Sequence, residues 1–156
     1  MLKGQEIVKN RADIIKELNC ATAAELAAAY RYLYLSKYAS GLHGLEVAET
    51  FAEMAKGEWE HVATFMERIV QLGGRPFDRL GDAEKLSYAK YLLPPKDATD
   101  WKRMVKDSLE GERAAIEFYH ELLLKVHSED AVTAHLLREA LEDEVEDEHK
   151  LASMLE

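Results

Sequence analysis

Apolar residues recur three and four positions apart along four long stretches of the chain, the spacing of one buried helical face. The first stretch runs from about Lys3 to Ala39 and ends at residues 40–44, a turn signal containing Gly41 and Gly44. The second runs from about Leu45 to Leu72 and stops at Gly73-Gly74, with Pro76 just beyond. Residues 73–96 then form a connection too long for a hairpin turn, closing on Pro94-Pro95. It holds one short helical candidate, residues 82–92, with Asp82 as its N-cap. A third helix is expected from about Ala98 to His127. After a break at residues 127–130, Ser128 is expected to cap a fourth helix that carries Glu129 and Asp130 in its first turn and reaches the end of the chain.

Short turn, long connection, short turn is the pattern of an all-α, antiparallel four-helix bundle with one long crossover between helices two and three. An ordinary up-down bundle has no use for the long middle connection. At 156 residues, without repeats or low-complexity segments, residues 1–156 are expected to form a single domain.

Each of the four apolar stripes is interrupted by one glutamate. On a helix, positions three, four, seven and eleven away share a face. Around Glu58 those positions hold Phe51, Met54, Ala55, Val62, Phe65 and Ile69. Around Glu112 they hold Val105, Leu109, Ala115, Ile116, Tyr119 and Leu123. Glu25 has Leu18, Ala21, Ala28, Ala29 and Tyr32, and Glu144 has Leu137, Ala140, Leu141, Leu151 and Leu155. The heights also agree. Glu25 and Glu58 lie equally far from the centre of the first turn, and Glu112 and Glu144 equally far from Ser128. With a constant rise per residue, antiparallel partners meet at one level.

Four carboxylates at one level of a core cannot all stay ionised unaided, because each buried ion costs several kcal/mol. They must protonate, pair with cations or bind metal. No Lys or Arg sits on these stripes at that level, whereas His61, three residues after Glu58, faces the same cluster. Carboxylates from four helices plus a Glu-x-x-His imidazole make a pocket suited to two iron or manganese ions. A second Glu-x-x-His, Glu146 and His149, is out of phase: Glu142, Asp143 and Ser153 occupy its stripe positions, so Glu146 points to solvent. Three residues beyond Glu144 stands Asp147, with Glu148 also near the stripe. The expected site is therefore asymmetric, with Asp147 or Glu148 where a second imidazole would be and His149 as the minor alternative.

Composition narrows the setting. A formal charge of −10 argues against a non-specific DNA binder and suits a protein that attracts cations. There is no apolar leader and no run long enough to span a membrane, and the single cysteine, Cys20, cannot form an intrachain disulfide. A soluble cytoplasmic protein is expected. Cys20 reads as packing, Glu110 and Glu117 as solvated, and His43, His120, His127 and His135 as surface or interface residues. Trp59 and Trp101 are candidates for a subunit interface.

Residues 18–33, 57–77, 109–119 and 140–149 resemble the ferritin-like superfamily, specifically bacterioferritin and the Dps-like ferritins, over essentially the whole chain. The resemblance implies a ferritin-like bundle with an intrasubunit dinuclear site. In it Glu25 and Glu112 are terminal or bridging carboxylates, Glu58 and Glu144 bridging ones, and His61 a terminal ligand. Tyr32 matches the tyrosine that bacterioferritins keep near their metals, and reads equally well as a core aromatic. Trp59 stands where the haem methionine of bacterioferritin would follow Glu58, so no haem is expected. The spaced His/Asp/Glu motif by which Dps proteins bind iron between subunits is absent. Ala114 replaces the cysteine of some Dps-like members, and Ala115 replaces the additional glutamate of rubrerythrins, whose rubredoxin CxxC is also missing.

The function so implied is a ferroxidase of an iron-storing, detoxifying cage. Two iron ions per chain, with manganese or zinc as alternatives, bind between the carboxylates, and O2 or H2O2 takes the electrons. The absence of a fifth helix after helix four leans toward a homo-oligomeric shell of twelve subunits rather than 24. A discrete diiron or dimanganese oxidase or peroxidase that stores nothing is the rival. A structural bundle with protonated glutamates, holding no metal, is the third reading.

Overall fold

The computed structural model describes Met1 and residues 3–156. Among them are five α-helices and no strand: α1 (Arg11–Tyr38), α2 (Gly44–Gln71), α3 (Ala83–Leu86), α4 (Trp101–Val126) and α5 (Ala131–Ser153). Short 3-10 turns occupy Gly4–Ile7 and Leu80–Asp82. The first helix starts at Arg11 and not near Lys3, because Val8 breaks into an extended conformation (φ −103°, ψ 116°). That break drops the Val8 side chain into the core beside Ile14 and Leu18.

The end of α2 follows its glycine signal. Gly73 takes φ 81°, its N–H bonds Val70 O at 2.9 Å, and Gly74 N–H bonds Ile69 O at 2.9 Å. These two bonds satisfy carbonyls the helix end would leave orphaned. The expected helix over 82–92 shrinks to Ala83–Leu86, and Asp82 makes no side-chain cap bond. Ser87 turns extended (ψ 140°), which frees Tyr88 to stack on Phe118 of α4 with ring centroids 4.2 Å apart. Burial of two aromatic faces outweighs the weak helical preference of a four-residue segment.

Both later helices begin on aspartates. Asp100 accepts from Arg103 N–H at 3.2 Å. Asp130, not Ser128, caps α5, accepting from Thr133 N–H at 3.0 Å. The same carboxylate takes both Arg68 Nη2 contacts, at 2.9 and 3.0 Å. The Asp130 carboxylate offers two oxygens, for the cap and the guanidinium together, where the Ser128 hydroxyl offers one. Ser128 stays in the turn, where Glu129 and Asp130 N–H groups bond Val126 O and close α4.

Among the described residues, two apolar clusters fill the interior. In one, the start of α1 (Ile14, Leu18) packs with the end of α2 (Phe65, Ile69), the end of α4 (Tyr119, Leu122) and the start of α5 (Ala134, Leu137). In the other, the end of α1 (Tyr32, Leu35) packs with the start of α2 (Val47, Phe51), the start of α4 (Met104, Val105) and Leu151 of α5. Opposite ends of α1 and α2 meet, as do opposite ends of α4 and α5, an arrangement consistent with a four-helix bundle. Between the two clusters lies a level that is not apolar.

Candidate metal centre

Glu25 and Glu58 are each the fifteenth residue of a 28-residue helix, counting from Arg11 and Gly44. Equal depth in two neighbouring helices puts the carboxylates at one height between the apolar clusters. Glu144 joins them from α5. The exposures of Glu25, Glu58 and Glu144 are 2, 3 and 1 %. His61, one turn beyond Glu58, completes the group, its side chain 12 % exposed. One donor atom from each of these four residues lies within 4.8 Å of the other three.

The imidazole joins inside to outside. His61 Nδ1 faces inward, 3.4 Å from Glu58 Oε2, 3.5 Å from Glu144 Oε1 and 3.8 Å from Glu25 Oε2. Its Nε2 lies 2.9 Å from Asp143 Oδ2, a carboxylate on the exposed side of α5. The inward atoms stay without partners: Glu25 Oε1, Glu58 Oε2, His61 Nδ1 and Glu144 Oε1 are buried and make no hydrogen bond. Buried polar atoms are nearly always satisfied, and four orphaned lone-pair donors turned on one another suit a cation. The mixed oxygen and nitrogen donor set accommodates iron, manganese or zinc.

Glu112, 2 % exposed, adjoins Glu144 on the other flank of the group. Tyr32 donates its hydroxyl hydrogen to Glu112 Oε1, and its ring stacks on Phe51 at 5.5 Å. Burial pushes Glu25, Glu58, Glu112 and Glu144 above the ordinary carboxyl range, and neighbouring carboxylates add to it. His61 is raised strongly: burial lowers it, but the nearby carboxylates of Glu144, Glu25 and Glu58 more than offset that. Without a metal ion, therefore, the group retains protons that water would have taken from its carboxyls.

Asp147 stands apart from the four-residue group. Its Oδ1 lies 3.5 Å from Lys150 Nζ on a half-buried stretch of α5. Glu148 is engaged by Arg113, whose Nε donates to Oε1 at 2.9 Å, while Glu146 and His149 are exposed. Two neighbours of the site escaped the sequence reading. Asp143 lies off the apolar stripe, and only its adjacency to Glu144 hints at a role. Tyr88 comes from the connection, where periodicity carries no signal; burial raises its pKa, with the four glutamates adding to the shift. Cys20 is half-buried on α1, and Trp101 packs against His43 at 5.0 Å while Trp59 is 59 % exposed. Among the described residues, no helix is long and apolar enough to cross a membrane.

The ferritin-like domain family matches residues 15–156. The DNA protection during starvation protein of Pyrococcus furiosus is 30 % identical over 129 residues, 82 % of this chain and 69 % of that protein. The bacterioferritin of Desulfovibrio desulfuricans is 31 % identical over 136 residues, 86 % of this chain and 69 % of that protein. Among solved structures, the dodecameric thioferritin of Bacteroides fragilis, a bacterioferritin-related protein, superposes with a TM-score of 0.90 at 27 % identity, covering 98 % of this chain and 89 % of that one. Dps of Thermosynechococcus elongatus shares the fold with a TM-score of 0.86 at 16 % identity, covering 93 % and 91 %. Matched along nearly its whole length, and carrying its buried carboxylates in the long helices, the chain belongs to the ferritin-like family.

Proposed function

We propose that the protein is a ferroxidase of a Dps-like shell, oxidising Fe(II) with O2 or H2O2 and holding the product as stored, detoxified iron. The observation that carries this reading is the set of four buried, unpartnered donors, Glu25 Oε1, Glu58 Oε2, His61 Nδ1 and Glu144 Oε1. In this reading residues 1–156 are one domain, a bundle whose connection 72–100 crosses from helix two to helix three of the four long helices.

Glu25, Glu58, His61, Glu112 and Glu144 would together hold two iron ions, with Asp147 as a further candidate ligand. The iron supplies the electrons that the oxidant accepts. The chain's own part is binding, orientation and exclusion of water. Tyr32 fixes the Glu112 carboxylate by donating to it. Asp143 fixes the plane and tautomer of His61 through Nε2, as outer carboxylates commonly do for metal-bound imidazoles. The net charge of −10 raises the local concentration of Fe(II).

Stepwise aerobic addition of Fe(II), with the soluble ferric iron counted per chain, tests the reading. Uptake far beyond roughly two per chain, the capacity of one dinuclear site, is expected of a storing shell. Uptake that stops there points to a discrete dinuclear oxidase or peroxidase instead. The relative from Bacteroides fragilis is dodecameric, and light scattering is expected to give twelve subunits here. A monomer removes storage.

A further inference from the structure

Two hollows of different character flank the carboxylate group. On one side Asp143, Glu60, Glu139 and Glu142 surround His61, a face that attracts cations. On the other side a cavity of about 80 Å3 lies between α1, α4 and residues 87–92. Glu25, Glu58, Glu112 and Asp107 line it together with Arg31, Ser108 and the exposed Lys90.

Arg31 is 5 % exposed, and two of its three nitrogens are fixed. Nε donates to Leu92 O at 2.9 Å and Nη1 to Ser108 Oγ at 2.6 Å. Nη2 is buried and has no hydrogen-bond partner. The Asp107 Oδ2 atom is 3.9 Å from it, beyond hydrogen-bond reach, and also serves Arg103 at 3.5 Å. A guanidinium keeps its charge in proteins, so a buried cation is left with one nitrogen, Nη2, that has no hydrogen-bond acceptor. Ser108 Oγ accepts from Arg31, which leaves its own hydrogen free to donate.

We propose that this cavity binds a small oxyanion, held by Arg31 Nη2 and the Ser108 hydroxyl beside the carboxylate group. A cation is excluded from that position by the guanidinium and by Lys90 at the mouth. A metal ion held by Glu25, Glu58 and Glu112 adds positive charge beside the cavity, so anion and metal bind cooperatively; in this the proposal rests on the metal reading above. The two hollows then divide the traffic, cations entering past Asp143 and anions past Arg31.

The test uses the full chain, loaded with Zn(II) and freed of excess metal, in equilibrium dialysis against labelled inorganic phosphate, with zinc measured in each sample. The expected result is about one phosphate per chain, weakened roughly tenfold or more by Arg31→Gln at unchanged zinc content, as loss of a charge-assisted bond predicts, and weakened also by omitting zinc. Lys90→Ala, at an exposed position, is expected to weaken binding severalfold and reports on the site should Arg31→Gln fold poorly. A zinc-loaded chain that binds no phosphate, or binds it equally well after both substitutions, overturns the pocket alone. A chain that takes up no zinc overturns the metal reading, and the pocket's condition with it.

Discussion

Glu58 sits among Phe51, Met54, Val62 and Phe65, at positions where a leucine would be more stable. Its Oε2 is orphaned, and burial and neighbouring carboxylates both oppose its charge. Glu58→Gln keeps the shape and removes the charge. Without metal, the variant is therefore expected to resist urea at least as well as the wild type. Metal affinity is expected to fall by more than the ~10–100-fold typical of losing even an outer partner. A metal-free variant that unfolds at lower urea than wild type would mean that Glu58 is a structural residue. Asp143→Asn tests the outer contact separately. Zinc affinity measured by competition with a chelating dye is expected to drop about 10–100-fold, whereas His149→Ala is expected to leave metal content intact. The four interior glutamates were legible in the sequence because each violates an apolar stripe and its neighbours reveal the violation. Asp143 violates nothing: a carboxylate on a polar face is the ordinary case. Only the approach of His61 from α2 singles it out.

At the scale of the helix, what the sequence leaves open is which of several competent residues acts. Ser128 and Asp130 both have N-cap chemistry. The choice falls to Asp130 because Arg68, 62 residues away in the chain, requires a carboxylate there. Asp130→Ala removes the cap and strands a buried guanidinium. It is expected to cost about 3–5 kcal/mol in denaturant unfolding, the range for breaking a buried pair from one side. Asp130→Asn retains a cap oxygen and is expected to lose less. The pair also carries a pH signature. Burial raises the Asp130 pKa, but bonds from Thr133 and Arg68 prevail and hold it below the usual value. A depressed carboxyl pKa gives stability that is complete above the unfolded-state value, about 3.9, and is lost as pH falls through the folded-state value. The stability difference between wild type and Asp130→Asn is thus expected to shrink on acidification below about pH 4. A difference constant across that range would sink the assignment. The early break at Val8 and the curtailed α3 were equally hidden, because both are decided by apolar contacts made across the fold and not by local propensity.

The whole molecule joins these scales, since the carboxylate level divides the core in two. One apolar cluster lies on each side, and each includes residues from α1, α2, α4 and α5. The group at that level draws one carboxylate from each of the same helices: Glu25, Glu58, Glu112 and Glu144. That convergence was legible from the sequence because the helical rise is constant. Arg31 and Tyr88 were not, because the connection that gives them their surroundings has no period. A cation bound to donors from several long helices binds the folded chain and not the unfolded one, so it must stabilise the fold by mass action. Metal at about one hundred to one thousand times its dissociation constant contributes roughly 2.7–4.1 kcal/mol. For a chain of this size about 2–4 °C accompanies each kcal/mol. Calorimetry at fixed protein concentration, before and after exhaustive chelation, is therefore expected to show a midpoint lower by about 5–16 °C without metal. Re-addition of Zn(II) is expected to restore it in the wild type but not in Glu58→Gln. A midpoint indifferent to chelation would favour the purely structural bundle, in which the buried glutamates are satisfied by protons alone.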